Sequence, residues 1–214
     1  MLITYHGHSE FLLEGKHGFS LLTDPFDAHV GYPMEEVQAD IVTCSHGHGD
    51  HAFTEKVTGN PMIIREAGIW QAGPDAKITA IPSFHDDVQG AKRGHNLLMK
   101  IEAEGLSIVH LGDLGVSLSP EQIAALGTPD ILMLPVGGFY TIDAQTAYET
   151  VQALKPRIVI PMHYKTEVNA DWPIAPVTDF LSLMGCSRLA PLPLLRVTKG
   201  DLAQQPSLVM LKHP

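Results

Sequence analysis

The run His46-Gly47-His48-Gly49-Asp50-His51 puts three imidazoles and a carboxylate within six residues. On an extended segment residues i and i+2 point the same way, so His46 and His48 can hold one metal ion between them. Asp50 and His51 come as the chain turns toward a helix and can reach a second ion. Imidazole combined with carboxylate suits zinc, iron, manganese or nickel. The bland alternative is a solvated histidine-rich turn in which Asp50 only caps a helix by accepting its free N–H groups.

Working outward, the β-branched run at 40–44 predicts a buried strand that delivers the chain into this cluster. Upstream, short strands are expected at 2–5, 10–13 and 19–23, punctuated by Gly7, Gly15 and Gly18 and closed by Asp24-Pro25. Downstream, 52–57 reads as a short helix with Asp50 placed to cap it. Strand-like runs recur at 61–64, 77–81, 97–101 and 106–111. Helix and strand then alternate: helix 120–126 with Ser119 as cap, strand 130–134, helix 143–154, strand 157–160 and helix 178–184. Late strands are expected at 194–197 and 207–211. Strands interleaved with helices predict sheets covered by helices, a layered α/β or α+β domain.

The 214 residues, 44% hydrophobic and 18% charged, suit one domain spanning 1–214. Such a length buries a sizeable core without staples, so bound metal is expected to serve chemistry rather than folding. A formal net charge of -10 without any basic run argues against a nucleic-acid partner and reads as keeping the protein soluble; the expected partner is a small-molecule substrate. The two cysteines, Cys44 and Cys186, imply no disulfide framework, and Cys44 reads as a small buried strand residue. The N-terminal residues lack the basic and apolar regions of a signal peptide, and no apolar run is long enough to span a bilayer. A soluble, cytoplasmic protein is the expectation; the sequence carries no signal for oligomeric state.

The histidine run after a buried strand resembles the signature of the metallo-β-lactamase fold superfamily, and the resemblance covers nearly the whole chain. It implies a four-layer αββα sandwich and further metal ligands in order. His85, after the strand at 77–81, matches the third ligand of the first metal. Asp113, in His110-Leu111-Gly112-Asp113, matches the carboxylate that bridges both metals. His163, in Pro161-Met162-His163-Tyr164, matches the last ligand of the second metal. Gly7-His8-Ser9, Thr23-Asp24-Pro25 and Pro161-Met162-His163-Tyr164 look like the branch containing ascorbate-phosphate lactonases and the phospholipase D of N-acylethanolamine lipids.

The resemblance implies a hydrolase with two divalent ions, zinc foremost and manganese, iron or nickel as alternatives. His46, His48 and His85 would hold the first ion and Asp50, His51 and His163 the second, with Asp113 and a metal-bound hydroxide between them. The hydroxide would cleave an ester, lactone or phosphodiester, and Asp50 would help aim it. Asp24 is expected to orient a ligand imidazole through its other N–H. His8, His6 and His110 either lie near the pocket or are structural histidines; His17, His29, His95 and His213 read as surface or structural. Tyr164, Lys165 or His110 would protonate the leaving group or hold an anionic substituent.

Rival activities on the same fold are a mononuclear-iron dioxygenase and a non-catalytic metal- or ligand-binding module. His48, where flavodiiron oxidoreductases carry glutamate, favours hydrolysis over that chemistry. The charge of -10 counts against a ribonuclease Z, and the missing signal peptide against an exported β-lactamase.

Overall fold

Alternating apolar and polar residues make residues 2–23 a three-strand meander, the opening of the first of two stacked sheets. The computed structural model describes residues 1–73 and 76–214, apart from the side chain of His17. Its strands are β1 (Leu2–Gly7), β2 (Glu10–Glu14), β3 (Ser20–Thr23), β4 (Val37–Gln38), β5 (Ile41–Thr43), β6 (Val57–Thr58) and β7 (Met62–Ile64). The second half adds β8 (Gly68–Gln71), β9 (Ala76–Phe84), β10 (His95–Ala103), β11 (Leu106–His110), β12 (Ile131–Pro135), β13 (Ile158–Met162) and β14 (Leu195–Arg196). The helices are α1 (Gly49–Ala52), α2 (Pro120–Leu126), α3 (Ala144–Leu154) and α4 (Thr178–Leu183). Among the described residues, none of the helices is long and apolar enough to cross a membrane.

One sheet runs β14-β1-β2-β3-β5-β7 and the other β13-β12-β11-β10-β9-β8, while β4 and β6 form a small parallel ribbon. The sheets meet through Ile3, Phe11, Leu13 and Leu21 on one side and Ile78, Met99, Ile101 and Ile108 on the other. Each such side chain, fully buried, stabilises the fold by about 1.5–3 kcal/mol. The outer face of the second sheet, through Leu98, Val109 and Leu132, packs on Ala147, Val151 and Leu154 of α3 and Phe180 of α4. The outer face of the first sheet has a thinner cover: Leu22, Val42 and Cys44 meet Val37 and Ala39, with Ala52 and Val57 packed alongside. This is the expected sandwich, with one helical layer reduced to a single turn. Burial pushes the Cys44 thiol up to about 12, so it is an inert core residue.

Ser119 caps α2 through a reciprocal box with Gln122, and Asp143 caps α3 through Thr146 N–H. Three local expectations fail. Residues 52–57 do not form one continuous helix: Ala52 ends α1 and Thr54–Lys56 make only a 3-10 turn. Phe53 N–H donates to the Pro25 carbonyl at 2.8 Å, which draws the chain off after one turn, and Val57–Thr58 pairs with β4 instead. Asp50 is not a cap; His48 occupies that position and Asp50 sits within the turn. Residues 207–211 make only isolated bridges, Leu208 to Val159 and Leu211 to Leu192, because the segment leaves β13 for the 192 loop.

Parallel strands from both sheets end on the same rim. β1 leads into His8, β3 into Asp24, β5 into Ser45 and His46, β9 into His85, β11 into Asp113 and β13 into His163. The rim thus collects residues from six strand ends, a favoured place for a site.

Candidate metal centre

Three of the site residues adopt left-handed backbone: His8 (φ 55), Asp24 (φ 40) and His163 (φ 50). Non-glycine residues in this region carry about 1–3 kcal/mol of strain and persist where the surroundings hold them. At His8 the register of β1 against β2 shifts after Tyr5. Gly7 (φ 110) lies against the Tyr32 ring so closely that no Cβ fits. The bulge swings the His8 side chain inward, where it is 1% exposed, and the His8 carbonyl accepts the N–H of His163 at 2.9 Å.

His51 is the pivot of the inner half. Its Nδ1 faces Asp24 Oδ2 at 2.8 Å, and Asp24 is itself fixed by the Ser45 N–H (2.7 Å) and hydroxyl (2.6 Å). A carboxylate at that distance requires the proton on Nδ1 and leaves Nε2 facing the cleft. There it meets His8 Nε2 at 3.0 Å, Asp113 Oδ1 at 3.2 Å and Asp50 Oδ2 at 3.8 Å. Asp113 Oδ2 lies 3.3 Å from both His85 Nε2 and His163 Nε2. Donors that share one ion at about 2.0–2.2 Å stand about 3 Å apart, so these spacings fit a cation between them.

Three sets of donor atoms converge within 4.8 Å: His8, His51 and His163; His46, His48 and His85; and His46, Asp50 and His51. His46 Nε2 is buried without a hydrogen-bond partner among the described residues, and its Nδ1 lies 3.0 Å from the Ser45 hydroxyl. An orphaned imidazole nitrogen aimed at other donors is what a metal ligand looks like before its ion is counted. Divalent ions with nitrogen and oxygen preference therefore fit the residues present.

The electrostatics agree with the geometry. Burial alone would raise the Asp113 pKa, but His163 and His51 hold it well below the usual carboxylate range. Burial would lower that of His51, but Asp113 and Asp24 raise it well above the ordinary imidazole value. Burial, then the neighbouring His51, brings His46 down to about 3; burial, then His163, brings His8 down to about 4. Burial would raise the Asp50 pKa, but the hydrogen bond to His8 and the charge of His51 together hold it low.

The seven proposed ligands, His46, His48, Asp50, His51, His85, Asp113 and His163, all reach this one centre, and His8 joins them. Sequence reasoning had no means to choose between a site and a structural role for His8; the neighbouring Gly7 was the visible sign of a bend. It missed two holders entirely. Asn96 (0% exposed) accepts the Asp113 N–H at 2.9 Å and donates to the Leu111 carbonyl at 2.9 Å, and Ser45 clamps Asp24. Gly112 (φ 54) allows the turn before Asp113 to pass against Ser45 and Asn96.

Other expectations move away from the centre. His110 is buried and structural: its Nε2 donates to the Ser9 carbonyl (2.9 Å) while its Nδ1 accepts the Gly112 N–H (3.2 Å). His6 turns to Glu10 at 2.8 Å. Tyr164 is 6% exposed within the apolar layer under α3 and α4, where burial raises its pKa, and Lys165 lies beyond it. Neither lines the cleft, so neither is placed to protonate a leaving group or hold an anion. His29 does line it, contrary to its reading as a surface or structural histidine.

The cleft over the centre has a volume of about 410 Å³ and is walled by His48, Asp50, His85, Asp113, His163 and Trp172, with Arg93 and Tyr140 at one side. A larger hollow of about 720 Å³ lies at the opposite rim, among Phe19, Ile41, Met62 and Leu106. Among the described residues it gathers none of the histidines of the centre, and size alone does not make it the site.

Residues 2–163 match the family model described as a beta-lactamase superfamily domain. The chain is 36% identical over 190 residues to a Thermoplasma acidophilum protein called UPF0173 metal-dependent hydrolase, covering 77% of this chain and 83% of that one. An Archaeoglobus fulgidus protein of the same description is 31% identical over 196 residues, covering 78% and 84%. A Thermotoga maritima crystal structure from the metallo-beta-lactamase superfamily superposes with a TM-score of 0.82 at 34% identity, covering 100% of this chain and 99% of that one.

Proposed function

The chain belongs to the metallo-β-lactamase superfamily, and from that premise we propose that it is a metal-dependent hydrolase using two divalent ions, zinc foremost. The observation that carries this is Asp113, whose Oδ1 faces His51 and whose Oδ2 lies against both His85 and His163, so that one carboxylate borders donors of both sets. His46, His48 and His85 would hold the outer ion. His51, His163 and His8, with Asp50, would hold the inner one, and Asp113 would serve both.

When bound, such ions bring the pKa of water from about 15.7 toward about 7 and polarise a carbonyl or phosphoryl oxygen. The protein supplies the rest. Asp24 keeps the His51 proton on Nδ1, so that Nε2 presents its lone pair to the cleft. Asp50, held ionised by His8, is a proton acceptor at the cleft wall and can orient water there. Trp172 and Tyr140 form apolar walls that exclude bulk water. The bond broken would be an ester, lactone or phosphodiester, and metal-activated water would serve as nucleophile in place of a serine or cysteine.

The test is elemental analysis of the purified protein joined to a hydrolysis screen of lactones, carboxylic esters and phosphodiesters. Two zinc ions per chain and turnover of one class support the reading. One iron per chain with oxygen consumption, or metal without any turnover, overturns it.

A further inference from the structure

Resting on the hydrolase reading above, we propose that Arg93 forms an anion subsite beside the metal centre, so that the substrate carries a carboxylate or phosphate group away from its scissile bond. The connection from β9 to β10 begins with the ligand His85 and ends next to Arg93. It is closed around the buried Asp86, whose carboxylate accepts four backbone N–H groups, from Val88 (2.9 Å), Gly90 (2.8 Å), Lys92 (2.9 Å) and Arg93 (2.7 Å). His85 N–H to the Gly94 carbonyl (3.0 Å) and Gly94 N–H to the Gly90 carbonyl (2.9 Å) tie its two ends. The loop therefore sets the Arg93 backbone at a fixed place relative to a metal ligand.

Half-buried Arg93 lines both the metal cleft and an adjoining cavity of about 500 Å³. Its guanidinium carbon stands 5.4 Å from the centroid of the Tyr140 ring. A cation–π contact of that kind holds the guanidinium over the ring without using its N–H donors in an ion pair. The carboxylates nearby have partners of their own: Asp86 the loop, Asp87 Lys92 Nζ (3.3 Å), Asp143 the Thr146 N–H (2.8 Å), Asp27 the His29 N–H (2.9 Å), and Asp50 and Asp113 the histidines of the centre. Among the described residues Arg93 pairs with no carboxylate. In a chain of net charge -10, a preorganised cation without a protein partner on the cleft wall fits a ligand anion, and its planar fork matches carboxylate and phosphate alike. One end of such a substrate would lie over Asp113 while the other reaches Arg93.

The test uses the zinc-loaded full chain and follows Trp172 fluorescence during titration with dicarboxylates from malonate to adipate, each beside its monocarboxylate. A parallel series of phosphonocarboxylates separates phosphate from carboxylate as the group Arg93 takes. At least one dianion should bind about tenfold or more tightly than its monoanion, the scale of a charge-assisted hydrogen bond. Arg93→Gln should abolish that preference while leaving zinc content unchanged, and Arg93→Lys should keep part of it. Absence of any preference in zinc-loaded protein, or a preference that survives Arg93→Gln, overturns the subsite alone. A chain that takes up no zinc overturns the hydrolase reading instead, and the subsite with it.

Discussion

His51 and His48 stand three residues apart in the chain and are held by different means. His51 is 0% exposed, hydrogen-bonded to an aspartate that a serine clamps, and surrounded by donors from three other strand ends. His48 is exposed on a Gly-flanked loop and makes no side-chain hydrogen bond among the described residues. The contrast extends to their neighbours: His8, His163 and Asp113 are each 1% exposed, while His46 is half-buried. In the two-ion arrangement proposed above, the inner position is lined mainly by packed side chains, whereas the outer one joins buried His85 (3% exposed) to half-buried His46 and exposed His48. Ligands already in place lose less freedom on binding, so the inner position should bind its ion more tightly.

The strongest test of that contrast removes the residue common to both halves. Asp113→Ala should abolish both ions in elemental analysis and lower turnover by about a thousandfold or more; retention of one tightly held ion would show that the halves do not share Asp113. Next comes Asp24→Asn, which leaves His51 in place but removes its anchor. Metal affinity at the inner position should fall about 10–100-fold, the usual cost of losing a partner that orients a ligand imidazole, with the outer ion little affected. His48→Ala should do the reverse, losing the outer ion while keeping the inner one. Because His48 is exposed, melting of the metal-free variant should stay within about 0.5 kcal/mol of the parent.

Protons should separate the halves as well. In the metal-free protein His51 is raised well above its ordinary value, so at neutral pH it carries a proton that the inner ion must displace. His46, lowered to about 3, is already neutral. Calorimetry in buffers of different ionisation heat should record about one proton released with the inner ion and far fewer with the outer one. Inner affinity should therefore rise with pH until the folded pKa of His51 is passed. The charged His51 also stabilises the metal-free fold below its unfolded pKa of about 6.5, a contribution lost as pH rises through the raised folded value.

The histidine run, which supplies ligands to both halves, was the more legible part of the centre in sequence. His46, His48, Asp50 and His51 lie in one short run, where residue type and spacing state the chemistry directly. His85, Asp113 and His163 needed the resemblance, since only the fold brings strand ends so distant in sequence together. The apolar runs located most strands and all three longer helices, because periodicity and caps are local. What escaped depends on tertiary contacts. The Pro25 carbonyl ends the helix expected at 52–57, a bulge at Gly7 aims His8, and Asn96 fixes the backbone of Asp113 from another strand. The anion-holding role assigned to Tyr164 or Lys165 failed for the same reason: sequence proximity to His163 says nothing about which wall of the cleft a side chain lines.

The most direct test of the two-half centre is titration of metal-free protein with zinc, following heat and hydrolytic turnover together, for the parent chain and for His48→Ala. The account predicts two ions per parent chain in two affinity classes, with turnover rising on the second, and one ion without turnover in the variant. A single equivalent that saturates both heat and turnover, or a variant that still takes up two ions, would contradict it.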